Sequence, residues 1–199
     1  MKINDKALYL TSAHDAILRL GDSIHELASM VDDELIKAVD IIFNTKGKLV
    51  ITGVGKSGHI GAKIAATMAS TGTPAFFIHP NDASHGDLGM ITKDDTVLAI
   101  SKSGESKELY NIIEYCNKHK IHLIGITYKR ESSLGKGADV KLILPNIDEV
   151  CPLSLAPTTS TLMTLALGDT IAVVLTNIRN LTKKDFKEWH PGGKLGESI

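Results

Sequence analysis

Two short segments carry the residue types best suited to holding an anion. The first is Thr52-Gly53-Val54-Gly55-Lys56-Ser57-Gly58, between a β-branched run and a helical one. Glycines let a backbone approach an anion closely, and a helix start offers free N–H groups and a favourable dipole. The spacing fits GxGxxG through Gly53, Gly55 and Gly58, a weak dinucleotide signal when alone. It is not a Walker A motif, because the glycine required five residues before Gly55 is replaced by Val50. The second segment, Ser101-Lys102-Ser103-Gly104-Glu105-Ser106, places three hydroxyls and a glycine before another helix. Ser106 alone is explained as a helix cap. Ser101 and Ser103 are not needed for capping, so they read as phosphate donors together with Gly55, Ser57 and Ser106. A nicotinamide site fits poorly: its acid would have to be Asp82, beyond His79 and Pro80, and Lys56 would interrupt the glycine fingerprint.

Acid–base candidates lie around these loops. Glu149 follows the fifth apolar run, although Asp148 beside it carries the same charge and either could be a solvated loop acid. Glu108 is two residues beyond Ser106, where a carboxylate serves either the helix dipole or a site. His190 sits in a Gly/Pro-rich terminal segment with no evident structural need for imidazole. His85 is flanked by Gly86, which suits close approach to a ligand, and Lys56 is a point charge inside a glycine loop. Histidine spacings match no zinc pattern. Convergence of His85 and His190 would give at most an inhibitory metal site.

The elements that must position these residues follow from periodicity. Apolar residues from Ile17 to Ile42 recur at spacings of three and four, and Asp32-Asp33 can cap a second segment, so residues 3–43 read as two helices. This arm, residues 1–44, either covers the domain or packs on a partner subunit. Candidate strands are Lys48–Thr52, Ala75–Ile78, Thr96–Ile100, His122–Thr127 and Val140–Leu144, separated by helices over Ser57–Ser70 and Ser106–Lys118. Strands apolar throughout and alternating with helices predict an α/β fold, a doubly wound five-stranded parallel sheet in flavodoxin-like order 2-1-3-4-5. That order makes the first and third strands neighbours, about 5 Å apart, and brings both loops to the crevice where such sheets bind ligands. Residues 159–176 read as a helix, and the stretch from Leu162 to Ile178, apolar on nearly every side, reads as buried within the domain or at an oligomer interface. Thr182 and Asp185 stand at capping-box spacing before a last helix.

Composition bounds the partners. Apolar residues make up 43% and charged residues 23%, as in an ordinary globular chain, and 199 residues suit one domain, residues 45–199 forming its core and tail. Lys and Arg total 22 against 23 Asp and Glu, so no basic excess points to nucleic acid or an anionic membrane. No apolar run is read as approaching the roughly 20 residues of a membrane span. Cys116 and Cys151 stand apart, and the N-terminus lacks a signal-peptide layout, which together predict a reduced, cytoplasmic chain.

Several longer segments are specific. GVGKSGHIG at 53–61, STGTPAFFIHPNDASHGDLG at 70–89, SKSGES at 101–106, CPLSLAPTTST at 151–161 and HPGGKLG at 190–196 run in unbroken order. Together they resemble the sugar isomerase (SIS) domain of D-arabinose 5-phosphate isomerases. The resemblance implies interconversion of D-ribulose 5-phosphate and D-arabinose 5-phosphate through an enediol, toward the Kdo sugar of lipopolysaccharide or capsule. It favours Glu149 as the base and His190 as a ring-opening acid–base supplied across a subunit interface. It also implies a homotetramer with shared sites, a pentose 5-phosphate substrate, and no cofactor or required metal. Two features depart from the family. Many members continue into paired CBS domains while this chain stops at Ile199, so regulation through them is not expected; and Lys102 stands where many have an uncharged polar residue. The competing expectations are an SIS isomerase for another ketose phosphate and a non-catalytic sugar-phosphate sensor.

Overall fold

The structure, a computed structural model, describes residues 6–192. Its first two helices, α1 (Lys6–Ser29) and α2 (Asp33–Asn44), break at the Asp32-Asp33 pair. The Asp32 carboxylate accepts from the Glu34 N–H at 2.9 Å, and Asp33 and Glu34 add acid to the first turn of α2. The arm divides in its packing. Helix α2 buries Leu35, Ala38, Val39 and Ile42. Helix α1 buries only Ser23 and Leu27 toward its end and leaves Leu10, Ile17 and Leu18 exposed.

Strands β1 (Leu49–Gly53), β2 (Ala75–Ile78), β3 (Thr96–Ile100), β4 (His122–Thr127) and β5 (Val140–Ile143) form one parallel sheet. Their order is β2-β1-β3-β4-β5, the doubly wound arrangement that the alternation predicts. The remaining helices are α3 (Gly55–Ser70), α4 (Pro80–Ser84), α5 (Tyr110–His119), α6 (Ser133–Gly137), α7 (Thr159–Ile178) and α8 (Lys183–Trp189).

Strands β1 and β3 are buried along their whole length because both of their faces are covered. The period of two divides their side chains between two cores. Leu49, Ile51, Leu98 and Ile100 join α2, α3 and α7 on one face. Val50, Val97 and Ala99 join Ile112, Cys116 and Leu134 on the other. Burial there pushes the Cys116 thiol up to about 12, assisted by the Asp139 charge, which suits an inert core residue.

Two expectations need correction and a third is narrowed. The helix predicted from Ser106 begins at Tyr110, after a 3-10 turn over Lys107–Leu109. Ser106 makes no side-chain cap bond; its hydroxyl is taken by Ser101, and the chain closes instead through Leu109 N–H to Ser106 C=O at 3.0 Å. Helix α7 is not buried on every side within the domain, since Val173 is 59% exposed, which leaves the oligomer-interface alternative for that side. It is also 20 residues long with a mean hydropathy of 1.5, so by length and composition alone it suits a membrane span, contrary to the sequence reading. In the fold it is a layer helix, with Met163, Leu167, Ile171 and Leu175 buried and Asp169 paired to Lys63 of α3 at 2.6 Å. The capping box at Thr182 and Asp185 is present as expected.

The α3–α7 contact depends on Gly168. A Cβ built there would overlap Ile64 Cδ1 and lie 2.6 Å from Cγ1, and Ile64 is fully buried. Gly168→Val is therefore expected to lose about 1–3 kcal/mol by overpacking, read as a lower urea midpoint at unchanged m-value. An unchanged midpoint would show that the helices separate freely.

Candidate functional site

Gly53 at the end of β1 is in register with Ile100 at the end of β3, so the loops that follow leave the sheet side by side. The glycines of the first loop are sterically required. A Cβ on Gly53 would lie 3.1 Å from the Ile100 carbonyl oxygen, and one on Gly58 only 2.6 Å from that of Gly53. Gly55 adopts φ +58°, which favours glycine. Val54 occupies the cap position of α3 without a side-chain bond, and the first N–H groups of a helix have no intrahelical acceptor.

The second loop is braced from within and from β4. Ser101 Oγ accepts from Gly104 N–H at 3.1 Å and shares a hydrogen bond with Ser106 Oγ at 2.9 Å. Ser103 Oγ accepts from Glu105 N–H at 3.1 Å. Tyr128 N–H donates to Lys102 C=O at 3.1 Å and Leu134 N–H to Gly104 C=O at 2.9 Å. Glu105 accepts from the Ser133 hydroxyl and N–H, bonds that hold its carboxyl below the ordinary range. The loop thus presents its hydroxyls from a fixed backbone.

Between the loops lies a cavity of about 420 Å³. Val54 and Ser57 line it from the first loop, and Ser101, Lys102, Ser103 and Ser106 from the second. Tyr128, Lys129 and Asn146 close it from beyond β4 and β5. Four of the five expected phosphate residues are therefore brought together. Gly55 supplies the turn and is exposed.

Glu149 is 2% exposed while Asp148 is exposed, which separates the two acids that sequence left equivalent. Its Oε2 receives Thr158 N–H at 2.7 Å, Thr158 Oγ1 at 3.2 Å and Ser160 N–H at 3.2 Å. Its Oε1 receives Ser160 Oγ at 2.5 Å and Lys102 Nζ at 2.6 Å. Burial alone would raise the carboxyl's pKa, but the bonds from Lys102, Ser160 and Thr158 outweigh it and hold the value down at about 2. The acid that follows β5 is thereby tied to the loop that follows β3.

None of the other candidates is bonded to that carboxylate among the described residues. Lys56 is exposed in the first turn of α3, next to Ser57. Glu108 is exposed on the 3-10 turn rather than on a helical first turn. His85 is exposed at the end of α4. His190 does have a structural setting: Nδ1 bonds the Phe186 carbonyl at 2.8 Å and its ring stacks on Phe186 at 3.9 Å. Its neighbour Trp189 lies against Gly72, beside Lys48 and Pro74 at the N-terminal edge of the strands. Within one chain His190 thus follows a residue seated at the edge opposite the loops. Positions 193–196 of HPGGKLG lie outside the described residues.

Sequence reading missed Tyr128, Lys129 and Asn146 as cavity residues, and Thr158 and Ser160 as partners of Glu149. The first three follow strand ends on the same edge as the loops, a signal available once the sheet order is known. The run Thr158-Thr159-Ser160 opens α7, and three hydroxyls at a helix start are a donor signal in their own right.

A family profile described as the SIS domain matches residues 41–174. Among curated relatives, the arabinose 5-phosphate isomerase KdsD of Yersinia pestis is 52% identical over 178 residues, covering 89% of this chain and 54% of that protein. The protein of the same name from Pseudomonas aeruginosa is 46% identical over 199 residues, covering 100% of this chain and 61% of that protein. The chain thus spans little more than half the length of these relatives. Among solved structures, one from E. coli CFT073 in complex with arabinose 5-phosphate superposes with a TM-score of 0.88 at 36% identity, covering 96% of this chain and 100% of that one. A putative sugar-phosphate isomerase from Listeria monocytogenes superposes at 0.91 with 33% identity, covering 94% and 99%. With the profile spanning most of the sheet and both loops, the chain belongs to the SIS domain family.

Proposed function

We propose that the chain is an aldose–ketose isomerase that interconverts D-ribulose 5-phosphate and D-arabinose 5-phosphate, with its product serving Kdo synthesis. One observation carries this reading: a hydroxyl-lined cavity at the β1–β3 crevice is joined to a buried carboxylate, Glu149, through Lys102, which lines the cavity and bonds that acid. The names of the relatives and the sugar phosphate bound in the E. coli neighbour supply the sugar.

The phosphate sits among Ser57, Ser101, Ser103 and Ser106, at the uncapped start of α3. Glu149 takes the proton from C1 of the ketose, or C2 of the aldose, and returns it to the other carbon through an enediol. Lys56 stabilises charge on the substrate oxygens, and Glu108 and His85 meet the sugar hydroxyls. His190 opens the furanose ring in a site of a neighbouring chain, within a cytoplasmic homotetramer that shares its sites between subunits. A proton shift between adjacent carbons needs no redox cofactor.

In a coupled assay the protein should turn over D-ribulose 5-phosphate in preference to hexulose phosphates. Binding of pentulose phosphates without turnover of any would identify a sensor instead. Glu149→Gln should lower kcat by at least about 100-fold while leaving substrate affinity nearly intact. Normal proton exchange in that variant would remove Glu149 as the base. Ser103→Ala should weaken affinity for phosphorylated sugars by about 5- to 10-fold, as for one lost hydrogen bond to a charged group; unchanged affinity would place the phosphate elsewhere.

Glu149 also makes stability pH-dependent. Its carboxyl titrates near 2 when folded against an ordinary value of 4.5. A depressed value contributes stability that is present above the unfolded value and is lost as pH falls through the folded one. The lead in urea midpoint of the wild type over Glu149→Gln should therefore shrink between those two pH values. A lead that stays constant across the window would show that the charge on Glu149 does not stabilise the fold.

A further inference from the structure

We propose that Lys102 is a positioning residue that couples phosphate occupancy of the cavity to release of the Glu149 carboxylate. The inference rests on the reading of Glu149 as the base and deepens it.

Glu149 is over-supplied with donors for a base. A carboxylate offers about four lone-pair positions, and five contacts are made to it. No direction remains open toward a C–H proton. Four of those donors belong to Thr158 and Ser160 at the opening of α7: two are backbone N–H groups fixed by the helix start, and two are short hydroxyls carried by the same residues. The fifth, Lys102 Nζ, comes from a different segment on a flexible stem that is 46% exposed. Among the described residues it is the one cation bonded to Glu149.

Lys102 also has somewhere to go. It lines the same cavity as Ser101 and Ser103, where a bound phosphate dianion carries more charge than a single carboxylate. The Tyr128 ring, 5.3 Å from Nζ, offers a face over which the ammonium can swing. Only the side chain has to move, because the Lys102 carbonyl is held by Tyr128 N–H at 3.1 Å and by the Thr127 hydroxyl at 3.3 Å. Tyr128 itself stays neutral, its phenol pushed up to about 12 by burial and then by the Glu149 charge. The groups facing Glu149 are thus Lys102 from the second loop, Tyr128 beyond β4, and the hydroxyls at the start of α7. Removing Lys102 opens one lone pair on Oε1 and leaves a buried carboxylate with no cation, which raises its basicity. An unphosphorylated sugar leaves Lys102 in place and meets a blocked base, so selection for phosphate falls on turnover as well as on affinity.

Inorganic phosphate is the probe. In the wild-type chain, the ¹³C signal of the Glu149 carboxyl should shift on adding phosphate, with its titration midpoint moved up by about one pH unit or more. In Lys102→Gln the midpoint should already be raised and should ignore phosphate. In exchange assays with unphosphorylated D-ribulose, saturating phosphate should accelerate the wild type by about tenfold. Lys102→Gln should lose that acceleration, and Lys102→Arg should keep it. A Glu149 signal that phosphate leaves unmoved, or activation that survives in Lys102→Gln, overturns the coupling. A wild type that isomerises no pentulose phosphate overturns the base reading instead, while the NMR titration still reports whether phosphate draws Lys102 away.

Discussion

A carboxylate that is nearly inaccessible to water must find its donors inside the protein, and around Glu149 this requirement ties three segments together. The acid itself follows β5, its hydroxyl and N–H donors open α7, and its ammonium donor stands on the loop that follows β3. None of the three can be placed independently of the others. Leaving such a charge unmatched costs several kcal/mol, so the Glu149 contacts favour a closed chain in which the hydroxyl loop and the start of α7 both reach the acid. One of those donors, Lys102, also lines the cavity between the loops, so the charge network and the cavity share a residue.

The sheet provides the frame for that arrangement. Parallel strands send all their following loops to one edge, and the reversal of strand order between β1 and β3 parts the helices above them. Glycine permits the close approach on the first side, since Gly53 and Gly58 lie almost in contact across the turn. On the second side the work falls to hydrogen bonds, with Gly104 C=O, Lys102 C=O and Glu105 all anchored to the segment after β4. One loop is therefore shaped by sterics and the other by polar bracing, and both present a fixed surface to an anion.

Much of this was legible in the residues. The apolar runs, the Asp32-Asp33 break and the capping box at Thr182 each depend on neighbours close in sequence, and each appears as read. The start of the helix after SKSGES was misplaced because Ser106 had two possible partners, a local backbone N–H or the more distant Ser101 hydroxyl, and the second one won. Glu149 and Asp148 looked alike for a similar reason: adjacent residues of an irregular segment can face opposite ways, and only packing chooses. His190 looked unattached until α8 placed Phe186 beneath its ring.

By itself, then, the sequence determined the alternation of strands and helices and the two glycine- and serine-bearing loops, because these arise from periodicity and short-range sterics, and the handedness of the crossovers then pointed to the sheet order. Tertiary structure alone decided which carboxylate is buried, which lysine neutralises it, and that His190 follows a residue seated at the edge opposite the loops. Those outcomes depend on contacts between segments tens of residues apart, such as Lys102 with Glu149. The desolvation and pairing that set a site's chemistry exist only after the chain has closed around it.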